Sequence, residues 1–276
     1  MHDMQDRSTP YEAITGRCFV NAPFARLQRD LLDLFLRHGL QPEIGLEGGW
    51  FWEIGQDEMQ HVADRLQAAG LGCTLHAPFH DLVPGGFDPR MVALTRKKLQ
   101  QAFALLPLFR PVSIVCHLGY EEIRHANDPE RWLAVSLETW QPLLEQAAAH
   151  GVRVMFENTY EPGPAMPALL LERLHHAAAG FCLDVGHVLA FSRTPWQEWL
   201  ERMAPWLGQL HLHDNDGEKD LHLAPGQGIF PFADLFQALK RQSIRPIVTL
   251  EPHREEDLLT SVETVRQPGM LPVLFS

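Results

Sequence analysis

The chain has 276 residues, 45% of them hydrophobic, and a formal net charge of −12. That length and apolar content suit one large α/β domain with a sizeable core, and the acidic balance argues against wide, unspecific adhesion to nucleic acid. No apolar run approaches the roughly 18 residues of a membrane span, and MHDMQDRSTP at the start has no apolar h-region, so neither a spanning helix nor a secretory leader is expected.

Strand-like and helix-like segments alternate along the chain. CFVN (18–21) precedes a helix over 23–39 that stops at a glycine; PEIGLE (42–47) precedes a helix over 57–70, also stopped by glycine. CTLHAP (73–78) leads to a helix over 88–106, VSIVCHLG (112–119) to 129–150, and RVMFENT (153–159) to 166–179, closed by Gly180. FCLDVGH (181–187) leads to 195–204, LGQLHLHD (207–214) to 232–241, and PIVTLEP (246–252) to 255–266. Strands rich in Val, Ile, Leu and Cys with little polar alternation suit a parallel sheet buried on both faces. Eight right-handed βα units close into a (β/α)8 TIM barrel; an open doubly wound sheet is the alternative, but no Gly-rich phosphate loop follows the first strand. One domain is expected over 1–276, with 1–16 as an N-terminal extension and 267–276 as a tail. Cys18, Cys73, Cys116 and Cys182 lie in predicted strands without CxxC spacing and read as reduced core thiols of a cytoplasmic protein.

The main apolar runs each stop at a residue that can bind a divalent cation: CTLH at His76, SIVCH at His117, VMFE at Glu157, FCLD at Asp184, GQLH at His211 and IVTLE at Glu251. A polar group ending an apolar strand costs free energy unless something demands it there. A metal does, and a parallel barrel gathers its strand ends around one pocket. His187 follows Asp184 by three residues, and Asp220 and His222 form a D-x-H pair after strand seven, where an extended segment points both the same way. Taken singly, each is more often a satisfied polar residue; in register they point to a metal site. Imidazoles and carboxylates together suit zinc or manganese, and no organic cofactor is indicated. His213 shares the face of His211 and reads as its support or its replacement. His125, His150, His175 and His176 fall on helices or loops and read as surface residues.

The motifs HAPF (76–79), CHLGY (116–120), FENT (156–159), CLDVGH (182–187), HLHDND (211–216), DLHLAPGQG (220–228) and LEP (250–252), in this order, resemble those of the xylose-isomerase-like TIM barrel superfamily. That superfamily includes endonuclease IV-like apurinic endonucleases and sugar isomerases and epimerases. For the endonuclease branch the resemblance implies three zinc ions. His76, His117 and Glu157 would hold the first, and Glu157 would bridge to a second completed by Asp184, His211 and Glu251. His187, Asp220 and His222 would hold the third. For the isomerase and epimerase branch it implies one metal on Glu157, Asp184, His211 and Glu251, with Glu157 and Glu251 also acting as acid and base on opposite faces of a sugar carbon. The chain departs from the endonuclease pattern with DVGH for DTCH (184–187), HLHD for HLND (211–214) and GQG for GEG (226–228). It departs from some epimerases at Gly217, where they place an arginine.

The ligand count favours phosphoester hydrolysis by a site of two or three zinc or manganese ions, which neutralise both attacking and leaving oxygens. The alternative is a sugar or sugar-phosphate isomerase or epimerase with one ion and the two glutamates as acid and base. An apurinic-site DNA endonuclease proper and a non-catalytic metal-binding barrel are less favoured. The expected partner is a small phosphorylated or sugar substrate. DNA is not favoured, because His80, Arg124, Arg193, Lys219 and Arg254 are scattered rather than clustered. GGWFWE (48–53) and the segment after strand three are expected at the pocket mouth, making Trp50, Trp52, Phe79, His80 and His213 the candidate substrate contacts.

Overall fold

The computed structural model describes residues 17–252 and 254–274. Within them, β1 (Cys18–Pro23), β2 (Gln41–Gly45), β3 (Thr74–His76), β4 (Ser113–His117), β5 (Arg153–Glu157), β6 (Ala179–Asp184), β7 (Leu207–Leu212) and β8 (Ile247–Leu250) form a closed parallel barrel in sequence order. Helices fill the crossovers. α1 (Phe24–Arg26) and α2 (Leu32–His38) follow β1, joined by a π-helical stretch at Leu27–Leu31; α3 (Gln56–Ala68) follows β2. α4 (Pro89–Phe103) and α5 (Leu106–Phe109) follow β3; α6 (Glu122–His125) and α7 (Pro129–Ala149) follow β4; α8 (Ala165–Leu174) follows β5. α9 (Val185–Phe191) and α10 (Trp196–Met203) follow β6, α11 (Phe232–Arg241) follows β7 and α12 (Glu255–Val265) follows β8. No helix among the described residues is long and apolar enough to cross a membrane.

The expected TIM barrel is therefore the fold, and its local signals act as their chemistry dictates. Gly39 closes α2 at φ 63, the left-handed value that glycine adopts without a Cβ penalty. Asp88 caps α4 by accepting from the Arg90 and Met91 amides, with Pro89 in the first turn. Three expectations need correction. The helix over 23–39 is interrupted by the π-helical stretch. α8 ends at Leu174, where His175 takes φ 42 as the cap, so Gly180 lies inside β6 instead of closing a helix. His125 is buried rather than on the surface: it sits edge-on to Phe87, 5.5 Å away, and its Nδ1 accepts from the Glu121 amide.

The apolar core fills the space between strands and helices, with Trp132, Trp140, Trp199, Phe103, Phe156 and Phe181 buried in it. A second, small cluster of Val115, Met155 and Cys182 stands apart from it, one on each of β4, β5 and β6. Each lies two residues before a strand-end ligand, and residues two apart on a strand share a face. The same spacing relates Thr74 to His76, Gln209 to His211 and Thr249 to Glu251. Strand register does the rest, setting His117 beside Glu157 and Asp184 beside His211.

Candidate metal centre

Glu157, buried at the end of β5, is the hub of the site. Its Oε2 lies 3.1 Å from both His76 Nε2 and His117 Nε2, and its Oε1 lies 3.2 Å from His211 Nδ1 and 3.3 Å from His187 Nδ1. His211 Nδ1 also faces Glu251 Oε1 at 3.1 Å and Asp184 Oδ2 at 3.9 Å. One imidazole nitrogen thus meets three carboxylates. Ligand bonds of about 2.1 Å place tetrahedral ligand atoms ~3.4 Å apart, and the three separations from His211 bracket that value.

The titration of the cluster shows how strongly the anions act. Burial by itself lowers the His76 ring, but the hydrogen bond and charge of Glu157, with Glu43 behind it, raise it to about 9. Burial opposes protonation of His187 and His211 too, yet the carboxylates around them push both well above the usual imidazole value. At His117 burial prevails and the value is lowered. Burial alone would raise Glu157 and Glu251; His211, with His117 beside the first and His222 beside the second, holds both below the usual carboxylate range.

A second cluster surrounds Asp220. Its Oδ2 lies 3.3 Å from His222 Nε2 and 3.5 Å from His187 Nε2, and its Oδ1 lies 3.6 Å from His213 Nδ1. The far side of each ring is committed to an oxygen: His187 Nδ1 to the Asn158 carbonyl at 2.9 Å, His222 Nδ1 to the Glu251 carbonyl at 3.2 Å, and His213 Nε2 to Asp184 Oδ2 at 3.1 Å. A carbonyl only accepts, so the near nitrogens of His187 and His222 are the ones that can give a lone pair, and all three rings converge on one carboxylate. His213 Nδ1 and Asp220 Oδ1 are buried without a hydrogen-bond partner among the described residues. Such a gathering of lone pairs is stable only around a cation, whether protons or a metal ion. Asp220 and His222 do meet as expected, although not through an extended segment, because His222 has φ 50.

His213 explains two of the departures noted in the sequence. Its ring stacks on His222 at 3.9 Å and 4°, and it occupies the space where a Cβ at residue 186 would lie. DVGH and HLHD therefore belong together: Gly186 makes room for His213. Asp184, the cap of α9 through the His187 amide at 2.7 Å, fixes the position of that turn.

Sequence reasoning missed the layer beneath. Glu43, fully buried in mid-β2, accepts from Thr74 Oγ1 at 2.8 Å, Gln209 Nε2 at 2.7 Å and Thr249 Oγ1 at 3.0 Å through Oε2. Its Oε1 lies 3.0 Å from His211 Nε2, a charge contact bent out of hydrogen-bond alignment. A charged residue inside an otherwise apolar barrel strand was the available signal. Asn158 was missed as well. It exchanges two hydrogen bonds of 2.9 Å with the Asp184 backbone and so ties β5 to β6 at the site.

The cavity above these ligands holds about 800 Å³. Phe79 lines it, stacked on His117 at 4.2 Å, and His80 lines it beside Glu47 at 3.3 Å. Of the other expected contacts, His213 lies within the ligand cluster. Trp52 stands 42% exposed with Lys97 and Lys98 of α4 over its ring at 5.9 and 5.3 Å, away from the cavity wall, while Phe51 is buried in the core. The Trp50 side chain falls outside the described residues.

The model of the xylose isomerase-like TIM barrel family matches residues 40–267. The uncharacterized protein MJ1311 of Methanocaldococcus jannaschii is 26% identical over 200 residues, which cover 70% of this chain and 68% of that one. Among solved structures, a D-tagatose 3-epimerase-like protein superposes with a TM-score of 0.79 at 21% identity, covering 91% of this chain and 96% of its own. The TTHB071 protein from Thermus thermophilus, soaked with ZnCl2, superposes with a TM-score of 0.76 at 26% identity, covering 92% and 100%.

Proposed function

The chain belongs to the xylose isomerase-like TIM barrel family, and we propose that it is a divalent-metal-dependent sugar epimerase or isomerase. The observation that carries this reading is the convergence of Glu157, Asp184 and Glu251 on His211 Nδ1, which puts two glutamates beside one candidate ion position. Support comes from the D-tagatose 3-epimerase-like barrel, whose likeness gives the fold and whose named activity is carried to this chain as part of the proposal. Hydrolysis, which the ligand count in the sequence favours, takes second place.

Glu157, Asp184, His211 and Glu251 would hold the catalytic ion, zinc or manganese. Bound there, it would polarise a ketose carbonyl and the neighbouring hydroxyl. Glu251, held as a carboxylate, removes the proton from the carbon beside the carbonyl, and that C–H electron pair shifts toward the carbonyl oxygen. Glu157, taking a proton from His76, delivers it to the opposite face and so inverts the carbon, and the two glutamates exchange roles for the reverse reaction. His76 Nε2 lies 3.1 Å from Glu157 Oε2, close enough to hand it that proton.

His187, His213, Asp220 and His222 would hold a second ion. Neither the proposed acid nor the proposed base belongs to this set, so the ion it would hold is assigned a structural role. That role accounts for ligands that single-metal chemistry does not need. The hydrolase reading keeps one observation in its favour: Glu157 turns Oε2 to His76 and His117 and Oε1 to His211, as a carboxylate bridging two ions does.

The test is turnover of ketohexoses by the metal-loaded enzyme in deuterated water, with elemental analysis of the same sample. Deuterium entering at an inverted carbon supports the epimerase. Inert ketohexoses with hydrolysis of a model phosphodiester would transfer the assignment to the bridged-ion hydrolase.

A further inference from the structure

Resting on the epimerase reading, we propose a narrower substrate class: an uncharged glycosyl-ketose, whose second ring lies on Tyr160 and Phe191 at the cavity mouth. The cavity of about 800 Å³ stands high in the range of about 300–1,000 Å³ that accommodates drug-sized ligands. A single hexose placed at Glu157 and Glu251 leaves much of that space to water.

The unfilled part has an aromatic wall. Tyr160, just beyond β5, is 58% exposed yet lines the cavity, and its ring meets Phe191 edge-on at 4.9 Å. Phe191 also lines the cavity and stands 5.7 Å from His187, so the rings lead from the ligand cluster to the mouth. A tyrosine ring held by a neighbour and open on its other side offers an apolar face to the C–H side of a pyranose, with a hydroxyl for its rim.

The charges exclude a phosphate in the same place. Among the described residues, and outside the candidate ligand histidines, the basic side chains lining the cavity are His80 and Arg124, and each stands against a carboxylate: His80 against Glu47 at 3.3 Å and Arg124 against Glu121 at 3.1 Å. Asp81 adds another negative group to the lining. A phosphate ester needs uncommitted cations and bidentate donors, and here it would meet three carboxylates instead. An uncharged sugar ring needs neither.

The experiment uses the metal-loaded full-length enzyme. D-Fructose, D-psicose, D-tagatose and D-sorbose are compared first, then the 4-O-glucosyl, 6-O-glucosyl and phosphate derivatives of the one turned over fastest. Binding energy from the second ring raises kcat/KM for one glucosyl derivative about tenfold or more over the free ketose. The phosphate falls below the free ketose. Tyr160→Ala brings the glucosyl-to-free ratio toward one, and Tyr160→Phe preserves most of it. Equal or lower kcat/KM for both glucosyl derivatives, a preference for the phosphate, or a ratio that Tyr160→Ala leaves intact would each overturn the glycoside assignment while the epimerase stands. Failure of every sugar to exchange solvent deuterium is a different result, because it removes the epimerase reading and this one with it.

Discussion

Asp214 and Asp220 both lie on the connection after β7, and they settle their charge in opposite ways. Asp214 is fully buried and collects four backbone amides: Asn215 at 3.0 Å, Gly226 and Gly228 at 2.9 Å each, and Phe230 at 3.0 Å. Gly228 is required there, because a Cβ would overlap Asp214 and the Asn215 carbonyl. Asp220 faces three imidazoles, and its Oδ1 has no hydrogen-bond partner among the described residues. A carboxylate met by amides is satisfied as soon as the chain folds. One met by ring nitrogens is satisfied only when a cation arrives. Burial does not separate a carboxylate settled by the fold from one left facing lone pairs; the kind of donor facing it does.

The largest effect expected from that distinction lies at Glu251, which is met by His211 rather than by amides. Glu251→Gln keeps the shape and removes the base, so kcat should fall by about 1,000-fold or more, with near-UV circular dichroism unchanged. Loss of that spectrum along with activity would mean Glu251 holds the fold, as Asp214 does. The direct contrast comes next. Asp214→Asn puts an NH2 where the Gly226 and Gly228 amides need an acceptor, costing about 1–3 kcal/mol for each stranded donor, and the melting temperature should fall equally with and without metal. Asp220→Asn should lower the metal-free melting temperature near neutrality but not above about pH 9, where the His222 proton it holds is gone, and should cancel the stabilisation by zinc, which is about 4 kcal/mol at a thousandfold excess over Kd. Melting curves of both variants, each with zinc and with chelator, decide it. Interchanged behaviour would reverse the assignment of the two residues.

The barrel was legible because each strand is an apolar run and each of the main runs ends on a candidate ligand, so one pattern carried both fold and candidate site. His117 and Asp184 could be placed from their strands alone, since parallel register sets them beside Glu157 and His211. Glu43 was legible only as a charge inside an apolar strand: a glutamate in PEIGLE takes its role from Thr74, Gln209 and Thr249, which three other strands bring to it. His213 was readable as a neighbour of His211 by two-residue spacing, but its place beside Asp220 depends on the turn of His222 and on the space left by Gly186. Trp52 was assigned by loop position, and the lysines of α4 that draw it away are about 45 residues further on.

The difference between amide-met and ring-met carboxylates also has a pH signature. Burial lowers His222, but Asp220 and Glu251 raise it to about 9, so near neutrality a metal must displace its proton. Apparent zinc affinity should therefore climb with pH by about tenfold per unit for each proton released, from pH 6.5 toward 9. Without metal the sign is reversed. A ring whose folded value of about 9 exceeds its free value of 6.5 contributes stability that is complete below pH 6.5 and is lost as the pH rises through 9. Chelator competition measures the first trend and thermal melting of the metal-free protein the second. A pH-independent zinc affinity would show that no ring proton is displaced.

The smallest effect expected comes from Glu43, which combines both kinds of contact: hydroxyl and amide donors on Oε2, an imidazole at Oε1. Glu43→Gln cannot serve both sides. If its amide group turns toward Thr74, Gln209 and Thr249, donor meets donor beneath the site; if it turns toward His211, the ring loses the anion opposite its metal-facing nitrogen. Either arrangement weakens His211 as a ligand without touching Glu157 or Glu251. The ion at His211 should bind about 10- to 100-fold more weakly, the usual range for losing a partner of a ligating histidine, while kcat at saturating metal stays within a few-fold. Chelator competition and a metal titration of activity separate the two quantities. An unchanged metal Kd with a lowered melting temperature would place Glu43 with Asp214, among the carboxylates that only hold the fold.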